Sequence, residues 1–222
     1  MIQALKHTMA NNRLLSNTSW LFGAEAMARI SRLVTLLALA HFLSIAEYGS
    51  VMLALICHDL LRVLTRIGSG AKVIQCSEQA LASVAGNAIT LQWLVALGVA
   101  ALQFFIATPL AAFYDKPELI SLLQTMAISH LIYPLVTIKV FLLQRQQGMR
   151  YFGLASGLCM VIENISVAVF LFFGAELHAA AMAKVLAAIL WVCLFSRVAN
   201  TNLHARFEPE VFISLASFAL RV

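Results

Sequence analysis

This chain is poor in charge. Only 11% of its 222 residues are Asp, Glu, Lys or Arg, against 62% hydrophobic, and mean hydropathy is +0.89. A water-soluble domain carries about 25% charged residues, so the composition excludes that class and implies an integral membrane protein. Acids are the scarcer sign, 10 against 15 Lys and Arg, for a net charge of +5. In a membrane chain that surplus is first a topology signal, and no nucleic-acid partner is expected. Cysteine is sparse and scattered. Cys57, Cys76, Cys159 and Cys193 lie in apolar stretches with no CxxC pair and no Cys/His cluster, and read as small buried hydrophobes. The chain has no Walker A loop, no nucleophile elbow and no metal-ligand spacing. No catalytic residue, metal or cofactor is expected, and the chain does not read as an enzyme. No cleavable signal peptide is expected either, because the first apolar run, from about Leu21, is too long and has no clear small-residue cleavage site.

What is there is a series of long apolar runs, which predicts an all-α, polytopic membrane protein. Residues 1–18 form a polar N-terminal segment with Lys6, His7 and Arg13, followed by Trp20 as an interfacial anchor. Six spans are expected across 19–199: about Ser19–Leu43, Val51–Ile67, Asn87–Phe113, Leu119–Leu143, Tyr151–Phe173 and Ala179–Val198. The stretch SIAEYGS reads as a short turn between the first two spans. Gly68-Ser69-Gly70 ends the second, and residues 71–86 read as a short surface helix. The third span holds no charge and is expected to face lipid. Pro134 is expected to kink the fourth. Residues 200–210 form a polar linker. Residues 211–222 turn apolar again and read as the start of a seventh helix, so a fragment of a longer protein is expected.

Basic residues divide the loops. Lys6 and Arg13, Lys72 with Arg66, Arg145 with Arg150, and Arg197 with Arg206 fall on one side. Glu47, Asp115, Lys116, Glu118 and Glu176 fall on the other. The positive-inside rule then gives a cytoplasmic N-terminus and six crossings.

Several charges lie inside the spans, where they are costly and usually mark a pathway or binding site. Glu25, Arg29 and Arg32 share one face of the first span, within roughly 60°. Asp59, Arg62 and Arg66 share one face of the second, and an antiparallel hairpin would bring the two stripes to the same depth. Glu163 and Asn164 lie in the fifth span, Lys184 in the sixth and His130 in the fourth. Lys139 is near enough to an end to snorkel. His41, His58 and His130 read first as packed polar side chains. The in-span acids sit on three different helices, so no carboxylate pair for acid/base chemistry is formed. Ion pairing alone would leave Arg29, Arg32, Arg62, Arg66 and Lys184 in excess over Glu25, Asp59 and Glu163. Uncompensated cations in a low dielectric need water or an anion. A cationic cavity for an anionic group such as phosphate is therefore expected, since the arginine fork donates two parallel hydrogen bonds.

Three stretches carry a family resemblance. LSIAEYGS (43–50) resembles the G-P-E-x-Y-G turn of polysaccharide exporters, without its proline. RIGSGAKVIQ (66–75) resembles their D-x-G-L-x-x-A-L-I-Q segment, with Ser69 in place of leucine. LLQRQQGMRYFGLA (142–155) resembles their L-L-Q-R-x-x-x-F-x-x-L-A loop. Together, across residues 15–200, they resemble the Wzx-type oligosaccharide flippases of the multidrug/oligosaccharidyl-lipid/polysaccharide exporter superfamily. The resemblance implies the N-terminal lobe of a two-lobe, alternating-access exporter in a bacterial inner membrane. It implies undecaprenyl-pyrophosphate-linked oligosaccharide as substrate, a missing C-terminal lobe, contact with membrane lipids and a polysaccharide polymerase as a possible partner. Arg29, Arg32, Arg62, Arg66 and Lys184 would then bind the substrate. Glu25, Asp59 and Glu163 would couple an ion or act as counter-ions. Competing readings are a cation-coupled drug exporter of the same superfamily, a membrane enzyme of lipid-linked sugar metabolism and an inactive truncated product. The short loops leave little room for the enzyme.

Overall fold

A computed structural model describes residues 22–23, 25–65, 69–146, 148–198 and 204–219. Helix α1 covers residues 25–42, α2 Ile45–Leu64, α3 Ser69–Gln75, α4 Leu81–Tyr114 and α5 Glu118–Ile132. The chain continues with α6 Pro134–Arg145, α7 Met149–Phe172, a 3-10 turn at Glu176–His178, α8 Ala179–Ser196 and α9 Pro209–Ala219. No strand occurs among the described residues. The N-terminal segment 1–18, Trp20, Arg66, Gly68 and most of the start of the 200–210 linker lie outside them.

Three helical segments are long and apolar enough to cross a membrane: α4, α7, and α8 together with the 3-10 turn. The α5–α6 pair, bent by 49°, makes a fourth if it is one broken span. The bend is where it was expected, because Pro134 has no N–H to continue the ladder. Among the described residues this is fewer than the six spans read from the sequence. Helix α2 is 20 residues long but carries Glu47, Asp59 and Arg62.

Helix α2 starts six residues earlier than expected. The Ser44 side chain accepts a bond from the Glu47 amide, while the Glu47 carboxylate accepts from the Ser44 amide at 2.8 Å and hydroxyl at 2.7 Å. This reciprocal capping box makes SIAEYGS a helix start rather than a turn. The same bonds, the Ser44 hydroxyl first, hold the Glu47 carboxyl below its ordinary range. Ser69 and Gly70, expected to help break α2, instead open α3, which is not a surface helix. Ser69, Gly70 and Val73 are buried, and a Cβ on Gly70 would collide with the Phe141 ring of α6.

Helix α4 was expected to face lipid for want of charge. It exposes Leu94, Leu97, Phe104, Phe105 and Phe113, as that expectation requires, but other helices, chiefly α5, also pack on it, and it buries Asn87, Gln92 and Gln103. Uncharged amides, not charges, mark its packed face. One core cluster joins Leu119, Leu122, Leu123 and Met126 of α5 to Val51 and Ala54 of α2, Ala107 and Ala111 of α4 and the alanines at the start of α8. Those alanines let the helices approach closely. On α1, small residues Gly23, Ala24, Ala26 and Ala28 are also expected from the sequence to allow close packing; Ala28 is buried, Gly23 and Ala26 are exposed, and Ala24 lies outside the described residues. Of the four cysteines only Cys159 is buried, and Cys193 is exposed.

The opposite end is tied by polar bonds. Arg145, ending α6, donates to the carbonyls of Val73, Ile74 and Cys76 at 2.7–3.2 Å and pairs with Glu78 at 2.8 Å. It thereby satisfies the open C-terminal carbonyls of α3. Glu78 holds the guanidinium above its already high ordinary value. Lys139 closes α8 in the same way, reaching the Ser196 carbonyl at 2.6 Å rather than snorkelling free. Residues 204–208 are strapped to α4. The Arg206 amide donates to Gly86, the Glu208 amide donates to Asn87 Oδ1, and Thr90 and Ser83 donate to the Arg206 carbonyl and the Glu208 carboxylate. Helix α9, expected as the start of a seventh span, docks on α4 and α3 and buries Leu215 completely.

Candidate functional site

Helices α2, α7 and α8 each present a charged side chain to one point. Lys184 Nζ lies 2.8 Å from Glu163 Oε1 and 3.3 Å from Asp59 Oδ1. The lysine side chain is 11% exposed, Glu163 20% and Asp59 45%. An ammonium in an apolar helix needs such partners, because an unpaired buried charge is costly. Arg62, one turn beyond Asp59, sits with its guanidinium carbon 4.7 Å from the centre of the Tyr133 ring. The contact is a cation–π stack. Tyr133 occupies the bend before Pro134, so the kink places the ring under the guanidinium. The Arg62 side chain makes no hydrogen bond or ion pair among the described residues. Its N–H groups stay uncommitted among the described residues.

Two polar groupings flank this cluster. Between α1 and α7, Thr35 Oγ1 donates to Asn164 Oδ1 at 2.8 Å and Asn164 Nδ2 donates to Ser31 Oγ at 2.8 Å. These bonds fix α1 by its buried stripe Ala28, Ser31, Thr35 and Leu39. Between α2, α4 and α5, the buried rings of His58 and His130 stack at 4.6 Å, both in contact with Gln103.

The expected site residues divide. Asp59, Arg62, Glu163 and Lys184 come together as described. Glu25 and Arg29 pair with each other at 3.1 Å on the exposed side of α1, where the Arg29 side chain is 80% exposed. Arg32 is exposed as well, with no ion-pair partner among the described residues. Arg66 lies outside the described residues. No ion pair among the described residues joins the α1 stripe to that of α2, so the two stripes do not form one charged seam. The cluster of four is electrically balanced, with two bases and two acids, and Arg32 is an exposed cation outside it.

Sequence reading missed Tyr133 and Gln103 and ranked the histidines low. The available signals were an aromatic immediately before a mid-span proline and a glutamine inside a charge-free span. His41 is exposed and meets only the edge of Phe42.

A family model described as polysaccharide biosynthesis protein matches residues 14–220. No curated protein and no solved structure matches the chain significantly.

Proposed function

Because the chain belongs to the polysaccharide biosynthesis protein family, we propose that it moves a lipid-linked oligosaccharide across a bacterial inner membrane by alternating access. The substrate in this reading is an undecaprenyl-pyrophosphate-linked repeat unit of O-antigen or exopolysaccharide. The protein is a flippase and not an enzyme. Helices α1, α2, α4, the bent α5–α6 pair, α7 and α8 are its six crossings, with the N-terminus in the cytoplasm. They form one lobe, and a C-terminal lobe completes the cavity. A polysaccharide polymerase would receive the product.

The observation that carries this reading is Arg62, over the Tyr133 ring and without a hydrogen bond or ion pair among the described residues, one turn from the Asp59 that pairs with Lys184. That posture suits a pyrophosphate, which takes two parallel bonds from a guanidinium. Lys184 adds positive charge once an anion competes with Asp59 and Glu163 for it. Arg29 and Arg32 on the exposed side of α1 face outward from the described residues, where a second lobe would close over them. Arg62→Gln and Arg29→Gln, each in the intact protein in its own cell, are expected to abolish surface polysaccharide at unchanged protein level. Normal polysaccharide from both variants would overturn these assignments.

One observation favours a second reading, a cation-coupled drug exporter of the same superfamily: the charges of the Asp59, Arg62, Glu163 and Lys184 cluster are balanced rather than net positive. Efflux of a cationic dye by cells carrying the intact protein, with surface polysaccharide unaffected by its deletion, would select that alternative.

A further inference from the structure

We infer that His58 and His130 form a site for a single proton, whose occupancy is linked to anion binding at Arg62. The link rests on the transport reading above, which makes Arg62 the anion's contact; the one-proton site rests on its own geometry.

Both rings are 1% exposed and stack with centroids 4.6 Å apart and planes 25° from parallel. Gln103 reaches both. Its Oε1 lies 3.1 Å from His58 Nδ1 and 2.8 Å from His130 Nε2, while its Nε2 donates to the Leu123 carbonyl at 2.8 Å. The carbonyl requires a donor, which fixes the amide's orientation and turns its oxygen to the rings. An oxygen only accepts, so His58 Nδ1 and His130 Nε2 both carry hydrogen. The remaining nitrogen of a neutral His130 is then a bare acceptor. That atom, Nδ1, is buried and meets no hydrogen-bond partner among the described residues. A buried, unmet lone pair is costly and is the natural seat for a proton. Adding it forms an N–H at Nδ1 and leaves every bond to Gln103 intact. A second proton would stack two imidazolium faces at 4.6 Å, so the pair takes one.

The charged and titratable groups around the pair come from four helices. Asp59 and Arg62 belong to α2, Lys184 to α8 and Glu163, through Lys184, to α7, while Tyr133 ends α5. Lys184 is already matched by two carboxylates. Arg62 has no ion-pair partner among the described residues, and its charge acts on His130. Burial is the larger opposition to a proton on the pair and the Arg62 charge adds to it; an anion bound to Arg62 removes that added part. By linkage, the proton then favours the anion equally.

The test uses the intact protein in lipid nanodiscs with sulfate as probe, since its charge is constant between pH 5 and 8. A one-proton link predicts sulfate affinity that tightens on acidification, by no more than about tenfold per pH unit. His130→Asn should still bind sulfate but with a flat pH profile. Affinity independent of pH in the wild type, a steeper slope, or an unchanged slope in His130→Asn would overturn the link. Nitrogen-15 shifts of the two rings in the wild type decide the site without any variant. One proton taken up by the pair supports it, and none or two overturns it. If sulfate fails to bind at any pH while the rings still take one proton, the Arg62 reading and its link fail and the proton site stands.

Discussion

Lys184→Met tests whether the charge cluster is held together by its lysine. The ammonium sits 2.8 and 3.3 Å from oxygens of Glu163 and Asp59. Those oxygens are therefore within about 6 Å of each other, and two negative charges at that distance repel by about 3 kcal/mol at an effective dielectric of ~20. Removing one partner of a buried pair usually costs about 3–5 kcal/mol. Asp59 is 45% exposed and can turn toward water, so the lower end, about 3 kcal/mol, is expected. Adding Glu163→Gln removes the repulsion and should recover most of the loss. The assay is equilibrium unfolding of the intact protein in mixed detergent micelles at neutral pH, with single and double variants compared in a mutant cycle. A loss below about 1 kcal/mol in the single variant, or a double variant no more stable than the single, would refute the claim that two carboxylates depend on Lys184.

Arg145→Lys keeps the charge but replaces a fork that reaches three carbonyls with a single ammonium. Backbone amide exchange should become several-fold faster through α3 and stay unchanged in α7; equal protection in α3 would show that the fork does not hold the helix end. Glu118 offers a pH test outside the spans. Its carboxylate accepts from the Ser50 hydroxyl at 2.7 Å, and chiefly for that reason its carboxyl lies below the usual range. Such a group contributes stability that is fully present above the unfolded value of about 4.3. That contribution disappears as pH falls through the lower folded value. Thermal midpoints of Ser50→Ala should therefore lie below those of the wild type at pH 6 and converge with them toward pH 3. A constant gap down to pH 3 would assign the difference to packing alone.

What the sequence revealed and what it hid follow from the range of each signal. The bend at Pro134 is local chemistry, a missing donor, and it was legible. So was the placement of Asp59 and Arg62 about one turn apart on α2, because the helical period converts spacing along the chain into position on an axis. Rotation about that axis was not legible. The stripe Glu25, Arg29, Arg32 was expected to face Asp59 and Arg62. Helix α1 is instead oriented by Ser31 and Thr35 bonding to Asn164, with Ala28 and Leu39 in line. The charged stripe is left on its exposed flank. Those hydroxyls carry little weight on any hydropathy scale, yet in a membrane an interhelical bond between small polar groups can settle which face turns inward. Gln103 teaches the same lesson for α4. A span without charge was expected to meet lipid, and its exposed apolar side chains fit that, but one buried amide also ties α4 to α2 and α5 through two imidazoles and a carbonyl. The start of α2 was legible and was misread: Ser44-x-x-Glu47 is a capping signature, and the glycine of SIAEYGS drew attention from it. In a chain this poor in charge, uncharged polar side chains set how the helices turn, and the charges then fall where that rotation leaves them.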